Sequence, residues 1–373
     1  MTTISSSRLA RQTAERLIGS RAALQRTPAL LGFDGFVDRI YHVVDSRKSA
    51  TEYAPVKTLK AFGHRIAGAA GKSLNVEIVL QHTKLGGNGP IMAFAMSSLG
   101  VPVTYCGMTG YPKVHPVFGE FAKRANVLGF ADPAETDAYE FSDGKLLVGR
   151  HATVAEVTFD NIRKRIGDTT WRKLWDAARF VGIGNWTMLP HMTSVWKKIQ
   201  SETAGKEPAF RKLMFFDLAD PEKRARPDIA AALKTLMKFQ EQNDVILGLN
   251  ERESHQIAGV LGIKGGGSGE KQIADLAAKI REKLKLHCVV VHPVKFAAAA
   301  DAQGAYSVTG PFTPKPKIST GAGDHFNAGF CIGCLLGCEL PQSLQLGVAT
   351  SGFYVRQAAS PSREQLVRFL QTL

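Results

Sequence analysis

The chain has 373 residues, of which 44% are hydrophobic and 21% charged, which is typical of a soluble globular protein with one large α/β domain or two smaller ones. The sequence contains no run of about 18 apolar residues, so we predict no membrane span. The net charge of +14 does not indicate nucleic-acid binding, because Lys and Arg are scattered among Asp and Glu; it favours a weak attraction for anionic substrates.

Cysteine usage predicts a reducing compartment. The five cysteines are an odd number in a chain of this size, which argues against a disulfide framework and predicts a cytoplasmic location. Cys331, Cys334 and Cys338 have the i, i+3, i+7 spacing of one helical face. We interpret them as buried thiols rather than metal ligands.

Residues 1–29 are predicted to form an N-terminal helical extension. Ala10, Ala14, Leu17 and Leu24 recur at helical intervals, which favours an amphipathic helix packed on the domain that follows. The segment is also rich in serine and arginine and poor in acidic residues. This composition is shared with organelle transit peptides, so that alternative stays open.

The first predicted core strand spans residues 29–33, and two carboxylates follow it. Asp34 lies directly at the carboxyl end of this strand, and Asp38 lies shortly after it. Ligands of open parallel sheets bind at the carboxyl ends of strands, so both acids are candidates to hydrogen-bond sugar hydroxyls. A turn with solvated acids is the alternative. Residues 40–59 mix polar and β-prone side chains and are expected to lead out of the core.

A glycine-rich loop comes next along the chain. Gly86 and Gly87 permit close approach of the backbone, and the Asn88 amide offers a donor and an acceptor to a hydroxylated ligand. Three further elements are predicted after this loop: a helix at 91–99, a strand at 101–106 and a helical segment at 117–126.

The segment 134–158 contains the strongest hairpin pattern of the chain. Polar and β-prone residues alternate on both sides of Asp143-Gly144, a dipeptide preferred in tight hairpin turns. A polar hairpin among β/α repeats predicts a small lid, to which residues 38–60 also contribute. Lids of this kind exclude water from reacting groups.

Strands and helices alternate over the second half of the chain, which predicts a parallel sheet covered by helices on both faces. The predicted strands lie at 180–183, 213–218, 245–249 and 287–291. The predicted helices lie at 170–178, 192–200, 229–239, 273–286, 344–355 and 364–370. The glycine-rich stretch 265–271 does not match the phosphate-loop pattern and is interpreted as a flexible loop.

A candidate phosphate site lies at residues 319–330, where a glycine-rich turn leads into a predicted helix. Gly321, Ala322 and Gly323 are small enough to let backbone N–H groups face an anion at the positive end of the helix macrodipole. A carboxylate at this helix start, Asp324, can take the proton from an attacking hydroxyl. A glycine turn with an Asp N-cap is the alternative for these residues taken alone.

Taken together, these residues resemble the ribokinase or phosphofructokinase-B family of sugar and nucleoside kinases. Three spaced motifs carry the resemblance: Gly86-Gly87-Asn88 before a helix, Asn250-x-x-Glu253 after a strand, and Gly321-Ala-Gly-Asp324 before the last long helices. The resemblance implies one ribokinase-like kinase domain over residues 30–373. Its implied fold is a three-layer α/β/α sandwich with a mostly parallel central sheet and a small β lid.

The resemblance also implies a role for each matching residue. Asp324 would be the catalytic base, and the amides of Gly321, Ala322 and Gly323 would form the anion hole. The other implied contacts are the sugar at Asp34, Asp38, Gly87 and Asn88, Mg²⁺ at Glu253 and Asn250, and the nucleotide at Asn250, Thr320 and His292. The implied reaction is in-line attack by a primary sugar hydroxyl on the terminal phosphate of ATP.

The chain departs from the family pattern at Ile91, where an Asn is frequent, at Ile318-Ser319, where Asp-Thr is frequent, and at His292-Pro293, which replaces a Gly-x-x-Gly loop. Two alternatives therefore stay open. One is an ADP-dependent sugar kinase of the same superfamily, and the other is a ribokinase-like binding protein without catalysis. Because lids of this family often pair between subunits, the resemblance also implies a homodimer through the lid.

Overall fold

The computed structural model describes residues 6–203 and 207–373. The strands are β1 (Ala29–Phe33), β2 (Phe36–Arg47), β3 (Tyr53–Pro55), β4 (Ile78–Gly86), β5 (Val103–Gly107), β6 (Asn126–Gly129), β7 (Ala134–Phe141), β8 (Gly144–Arg150), β9 (Phe180–Ile183), β10 (Leu213–Asp217), β11 (Asp244–Leu249), β12 (Cys288–Val291), β13 (Phe296–Ala300) and β14 (Ala305–Thr309). The helices are α1 (Ser6–Ile18), α2 (Arg21–Gln25), α3 (Leu59–Gly68), α4 (Asn88–Ser98), α5 (Gly119–Ala122), α6 (Phe159–Ile166), α7 (Asp168–Ala177), α8 (Met192–Thr203), α9 (Arg226–Gln240), α10 (Glu251–Val260), α11 (Glu270–Leu284), α12 (Ala322–Leu335), α13 (Leu340–Gln357) and α14 (Arg363–Gln371).

The central sheet contains nine of the described strands, in the order β14-β13-β12-β11-β10-β9-β1-β5-β6. The strands from β12 to β6 pair in parallel, whereas β13 and β14 add an antiparallel edge. Every residue of β1, β9 and β12 is buried, as expected of parallel strands covered on both faces. The prediction of a mostly parallel sheet is confirmed.

Helices cover both faces of the central sheet. Side chains along a strand alternate between its faces, so Val289 and Val291 of β12 join one hydrophobic cluster while Cys288 and Val290 join the other. Helices α6 to α11 contribute to the first cluster, and α1, α4, α12, α13 and α14 contribute to the second. The three-layer α/β/α sandwich predicted from the family resemblance is therefore confirmed.

Five of the described strands, β2, β3, β4, β7 and β8, form a second, smaller sheet. Strand β2 pairs antiparallel with β4 and parallel with β7, and β7 and β8 form the predicted hairpin. The turn residue Asp143 accepts a hydrogen bond from Leu59 N at 2.6 Å. The predicted small lid is thus present, with β4 as an additional strand. Most of β4 is exposed, so it lacks the apolar alternation that reveals a strand.

The N-terminal helices pack on the main body of the structure. Ala10, Ala14, Leu17 and Leu24 are buried, and α1 lies against α13 and α14, as the helical spacing predicted. Residues 1–5 of the predicted extension lie outside the described residues. Among the described helices, none combines the length and the apolar character that crossing a membrane requires.

Two local predictions are wrong. In the segment 117–126 a 3₁₀ turn and the short helix α5 end at Ala122, so the predicted helix is too long. Strand β6 then pairs with β5 at the sheet edge, and four residues are too few to show a strand period. Cys331 and Cys334 lie on α12, whereas Cys338 lies beyond its end, and of these three thiols only Cys331 is buried. All five cysteines are free thiols. The alanine-rich β13 was not predicted, because alanine favours helices and only pairing with β12 and β14 overrides that preference.

Candidate active site

A cavity of about 690 Å³ lies between the carboxyl ends of the central strands and the lid. It brings together every predicted site residue except Asp34 and Ala322: Asp38, Gly87, Asn88, Asn250, Glu253, His292, Thr320, Gly321, Gly323 and Asp324. The lid contributes Phe36, Thr136 and Leu147 to the lining. Motifs that are far apart in the chain therefore meet around one space.

Asp324 lies in the first turn of α12 and is only 7% exposed. Burial raises the pKa of its carboxyl group to about 8. A hydrogen bond from Asn88 Nδ2 to Asp324 Oδ1, at 3.0 Å, favours the ionised form and acts in the opposite direction. Once ionised, a carboxylate with a raised pKa is a stronger proton acceptor than an ordinary aspartate, which suits Asp324 to act as a general base.

The loop before α12 offers fewer free amides than predicted. Gly321 has a φ of 89°, a left-handed conformation that favours glycine. Ala322 N donates to Ser319 O at 3.1 Å, so its N–H is engaged within the loop, and its place in the anion hole stays a prediction. Within the described chain, the N–H groups of Gly321 and Gly323 have no hydrogen-bond acceptor. These two amides, at the positive end of α12, are therefore available to an anion.

Asp38 faces the cavity from the lid strand β2. Burial raises the pKa of Asp38. The charge of Lys84, which the pairing of β2 with β4 places opposite Asp38, lowers this pKa by a smaller amount. A Cβ added at Gly86 would lie 2.5 Å from both carboxyl oxygens of Asp38. Glycine at position 86 is therefore what lets the Asp38 carboxylate lie against the loop beside Gly87 and Asn88.

Asp34 is fully buried and does not line the cavity. Its Oδ2 accepts from Asn88 N at 3.0 Å and from Asn185 Nδ2 at 2.8 Å, and its Oδ1 accepts from Gly89 N at 3.0 Å. The Tyr105 hydroxyl donates to the backbone oxygen of Asp34 at 2.6 Å and lies 3.2 Å from Oδ1. Both carboxyl oxygens of Asp34 are therefore engaged within the protein, and its contact with the sugar stays a prediction. The carboxylate holds the start of α4, and with it Asn88.

Asn250 and Glu253 form a capping box at the start of α10. Asn250 Oδ1 accepts from Glu253 N, and Glu253 Oε2 accepts from Asn250 N, each at 2.9 Å. Glu253 Oε1 also accepts from Asp220 N at 2.8 Å. The Asn-x-x-Glu spacing thus has a structural function of its own. Both side chains nevertheless line the cavity, and burial raises the pKa of Glu253.

The oxygen donors around this cavity fit Mg²⁺ bound largely through water. The carboxylates of Asp217, Asp220, Glu253 and Asp324 all line it, and hard oxygen donors are what Mg²⁺ prefers. In the part of the chain that the structure describes, no three His, Cys, Asp or Glu side chains are arranged to hold a metal directly. Mg²⁺ keeps several of its waters and takes only one or two carboxylates in phosphate-binding sites, so the donor set suits it.

Asp217, at the end of β10, was missed by the sequence reasoning. It is 8% exposed, and it accepts hydrogen bonds from Asn327 Nδ2 at 3.1 Å and from Ala219 N at 2.9 Å. Burial, and then the charges of Glu253 and Asp324, raise the pKa of Asp217 well above its usual value. Asp217 could have been predicted from its place at the end of an apolar strand, because Asp34 was predicted from the same kind of position after β1.

A second cavity of about 350 Å³ adjoins the first, and Asn250, His292 and Gly323 line both. Its walls are largely apolar, with Phe296, Pro311, Phe312, Phe326, Val348 and Val355 among the lining residues. The His292 ring packs on Phe326 with ring centroids 5.0 Å apart, and burial lowers the pKa of His292 to about 4. The neutral imidazole of His292 therefore lies at the boundary between the first cavity, which is lined by polar groups, and the second, largely apolar cavity.

A family model for prokaryotic ketohexokinase matches residues 8–373. The chain belongs to the prokaryotic ketohexokinase family. A ketohexokinase from Haloferax volcanii is 29% identical over 361 residues, which cover 95% of this chain and 92% of that protein. This family membership makes the protein a sugar kinase of the ribokinase superfamily, and the predicted family resemblance is confirmed.

Solved structures with the same fold are ribokinases and related carbohydrate kinases. Ribokinase from Thermotoga maritima has a TM-score of 0.61 and 15% identity, and the match covers 92% of this chain and 99% of that one. Arabidopsis thaliana ribokinase, solved with ribose and ATP, has a TM-score of 0.61 and 16% identity, with 93% and 99% covered. At such identities the likeness establishes the fold alone.

Proposed function

We propose that this protein transfers the terminal phosphoryl group of ATP to a primary hydroxyl of a ketohexose. The observation that carries the proposal is the buried Asp324 carboxylate at the start of α12, inside the cavity that the lid covers. The name of the Haloferax volcanii relative supports a ketohexose as the sugar. The free cysteines agree with action in the cytoplasm.

The sugar is proposed to bind between the lid and the loop that starts α4. Asp38 accepts hydrogen bonds from sugar hydroxyls, and Gly87 and Asn88 contact the sugar from the loop, so that one primary hydroxyl lies beside Asp324. The lid keeps water away from the phosphoryl group. Asp324 takes the proton of that hydroxyl as its oxygen bonds to the terminal phosphorus, and ADP leaves from the opposite side.

The nucleotide is proposed to occupy both cavities. Its base lies in the apolar cavity, and its phosphates pass Asn250, His292 and Thr320 to reach the amides of Gly321 and Gly323. Mg²⁺, when bound, would neutralise phosphate charge. Glu253 and Asn250 would hold its waters, since both line the cavity and the carboxylate of Glu253 is fixed by two backbone amides.

The lid also has a face that points away from the cavity. Phe36, Asp38, Thr136 and Leu147 line the cavity, so the residues that alternate with them lie on the other face. There Arg150 pairs with Glu135 at 2.6 Å and with Asp137 at 2.8 Å. This half-exposed charged face supports the proposal that two chains associate through their lids.

The test is turnover of a panel of ketohexoses, aldohexoses and pentoses, each with ATP and with ADP. We expect ketohexose-dependent formation of ADP from ATP, with the sugar phosphate as second product. AMP formation from ADP would favour the ADP-dependent alternative, which His292-Pro293 in place of Gly-x-x-Gly suggests. The proposal is refuted if the folded protein turns over no sugar with either nucleotide.

A further inference from the structure

Two stacked rings hold the loop that carries the anion hole. The Tyr354 hydroxyl donates to Thr320 O at 2.9 Å, and His325 Nδ1 lies 2.7 Å from Gly321 O. The rings of Tyr354 and His325 stack with centroids 3.6 Å apart and planes 14° apart. The carbonyl of Thr320, which precedes the Gly321 nitrogen, and the carbonyl of Gly321 itself are therefore both hydrogen-bonded to one stacked aromatic pair.

The partners of His325 determine its tautomer. Gly321 O can only accept, so His325 Nδ1 carries the proton and donates it to that carbonyl. In the neutral ring Nε2 is then an acceptor, and the Ser360 hydroxyl, 2.8 Å away, donates to it. His325 is 2% exposed and burial lowers its pKa to about 4, in agreement with a neutral ring.

Peptide geometry links these contacts to the anion hole. A trans peptide is planar, so the direction of a carbonyl sets the opposite direction of the next N–H. Holding Thr320 O therefore orients Gly321 N–H away from Tyr354, and holding Gly321 O orients Ala322 N–H, which donates back to Ser319 O. Without these restraints, a glycine is free to take other conformations.

We propose that Tyr354 and His325 are positioning residues that orient the Gly321 amide toward the transferring phosphoryl group. This inference rests on the proposed function, because the phosphoryl group is the anion that Gly321 meets. An amide that is already oriented needs no reorganisation as charge develops in the transition state. The pair should therefore affect kcat and leave binding of the sugar unchanged.

The first test is Tyr354→Phe, which removes the hydroxyl and keeps the ring. We expect kcat to fall about tenfold with sugar KM changed by less than about twofold, since one hydrogen bond is lost and one buried carbonyl is left without its donor. Tyr306→Phe, on the exposed edge strand β14, is the control and should behave as wild type. His325→Ala should lower kcat further, and His325→Asn should recover part of it, because an amide NH₂ can replace the Nδ1 donor.

The second test does not depend on turnover. ADP with aluminium fluoride mimics the transferring phosphoryl group, and calorimetry in the presence of sugar measures its affinity. For Tyr354→Phe we expect about a tenfold loss of affinity for the fluoride complex, with the affinity for ADP alone unchanged. The inference would be overturned if Tyr354→Phe kept both the kcat of the wild type and its affinity for the fluoride complex. It would also be overturned if Tyr354→Phe lost as much affinity for ADP alone as for the fluoride complex. A wild-type protein that turns over no sugar would instead contradict the proposed function.

Discussion

Replacement of Asp324 by Asn should lower turnover strongly and, near neutral pH, stabilise the folded protein. Burial raises the pKa of Asp324 from 3.8 to about 8. Because the folded-state pKa is the higher one, the folded protein keeps this proton up to about pH 8, whereas the unfolded chain releases it above about pH 4. The stability that Asp324 contributes is therefore complete below about pH 4 and is lost as the pH rises toward 8.

The size of this effect follows from proton linkage. Within that window the folded state binds one more proton than the unfolded state, so the free energy of unfolding falls by about 1.4 kcal/mol per pH unit. From about pH 5 to pH 7 the loss is about 3 kcal/mol. An asparagine has no such proton, and its side-chain oxygen still accepts the hydrogen bond from Asn88. The free energy of unfolding of Asp324→Asn should therefore lack this decrease with rising pH.

The assay is chemical unfolding of the unliganded protein at several pH values between about 5 and 7. The free energy of unfolding of Asp324→Asn, relative to wild type, should increase by about 1.4 kcal/mol per pH unit. Asp275→Asn, at an exposed position of α11, is the matched control and should show no such trend. Turnover by Asp324→Asn should fall about 10²–10⁴-fold. A pH-independent difference for Asp324→Asn would refute the reasoning, because it would mean that the carboxyl group is ionised in the folded protein.

Two further predictions concern the surroundings of the base. Asn88→Ala removes the hydrogen bond that lowers the pKa of Asp324, so the acid limb of the kcat/KM profile, where activity is lost as the base is protonated, should move up by about one pH unit. Gly86→Ala places a Cβ 2.5 Å from the carboxyl oxygens of Asp38, well inside van der Waals contact, so Asp38 must move. Sugar KM should then rise about tenfold while nucleotide KM stays unchanged.

Controls for these two variants are available in the same chain. Gly119→Ala introduces a Cβ with no neighbour within 4 Å and should leave both KM values unchanged. Asn126→Ala removes an exposed amide of β6 and should leave the pH profile in place. If the acid limb of Asn88→Ala does not move, Asn88 does not act on the base. If Gly86→Ala binds sugar as wild type does, Asp38 is not part of the sugar site.

The rule that ligands bind at the carboxyl ends of parallel strands predicted one residue that lines the cavity and one that does not. It singled out Asp34 and Asp38, and only Asp38 lines the cavity, because the carboxyl oxygens of Asp34 accept hydrogen bonds from Asn88, Gly89 and Asn185. The same rule applied to β10 would have found Asp217. A position at the end of a strand shows where a side chain begins, and its partners from distant segments decide whether it is available to a ligand.

The amino-acid sequence by itself determined the alternation of strands and helices, the polar hairpin of the lid and the glycine turn that starts α12. These features depend on local conformational preference and side-chain periodicity, which neighbouring residues carry. Tertiary structure alone decided the proton affinity of Asp324 and the hydrogen bond that engages the N–H of Ala322. It also decided the Tyr354–His325 stack behind Gly321. Burial and hydrogen-bond partners are supplied by segments far away in the chain, such as Asn88 for Asp324, and no local pattern records them.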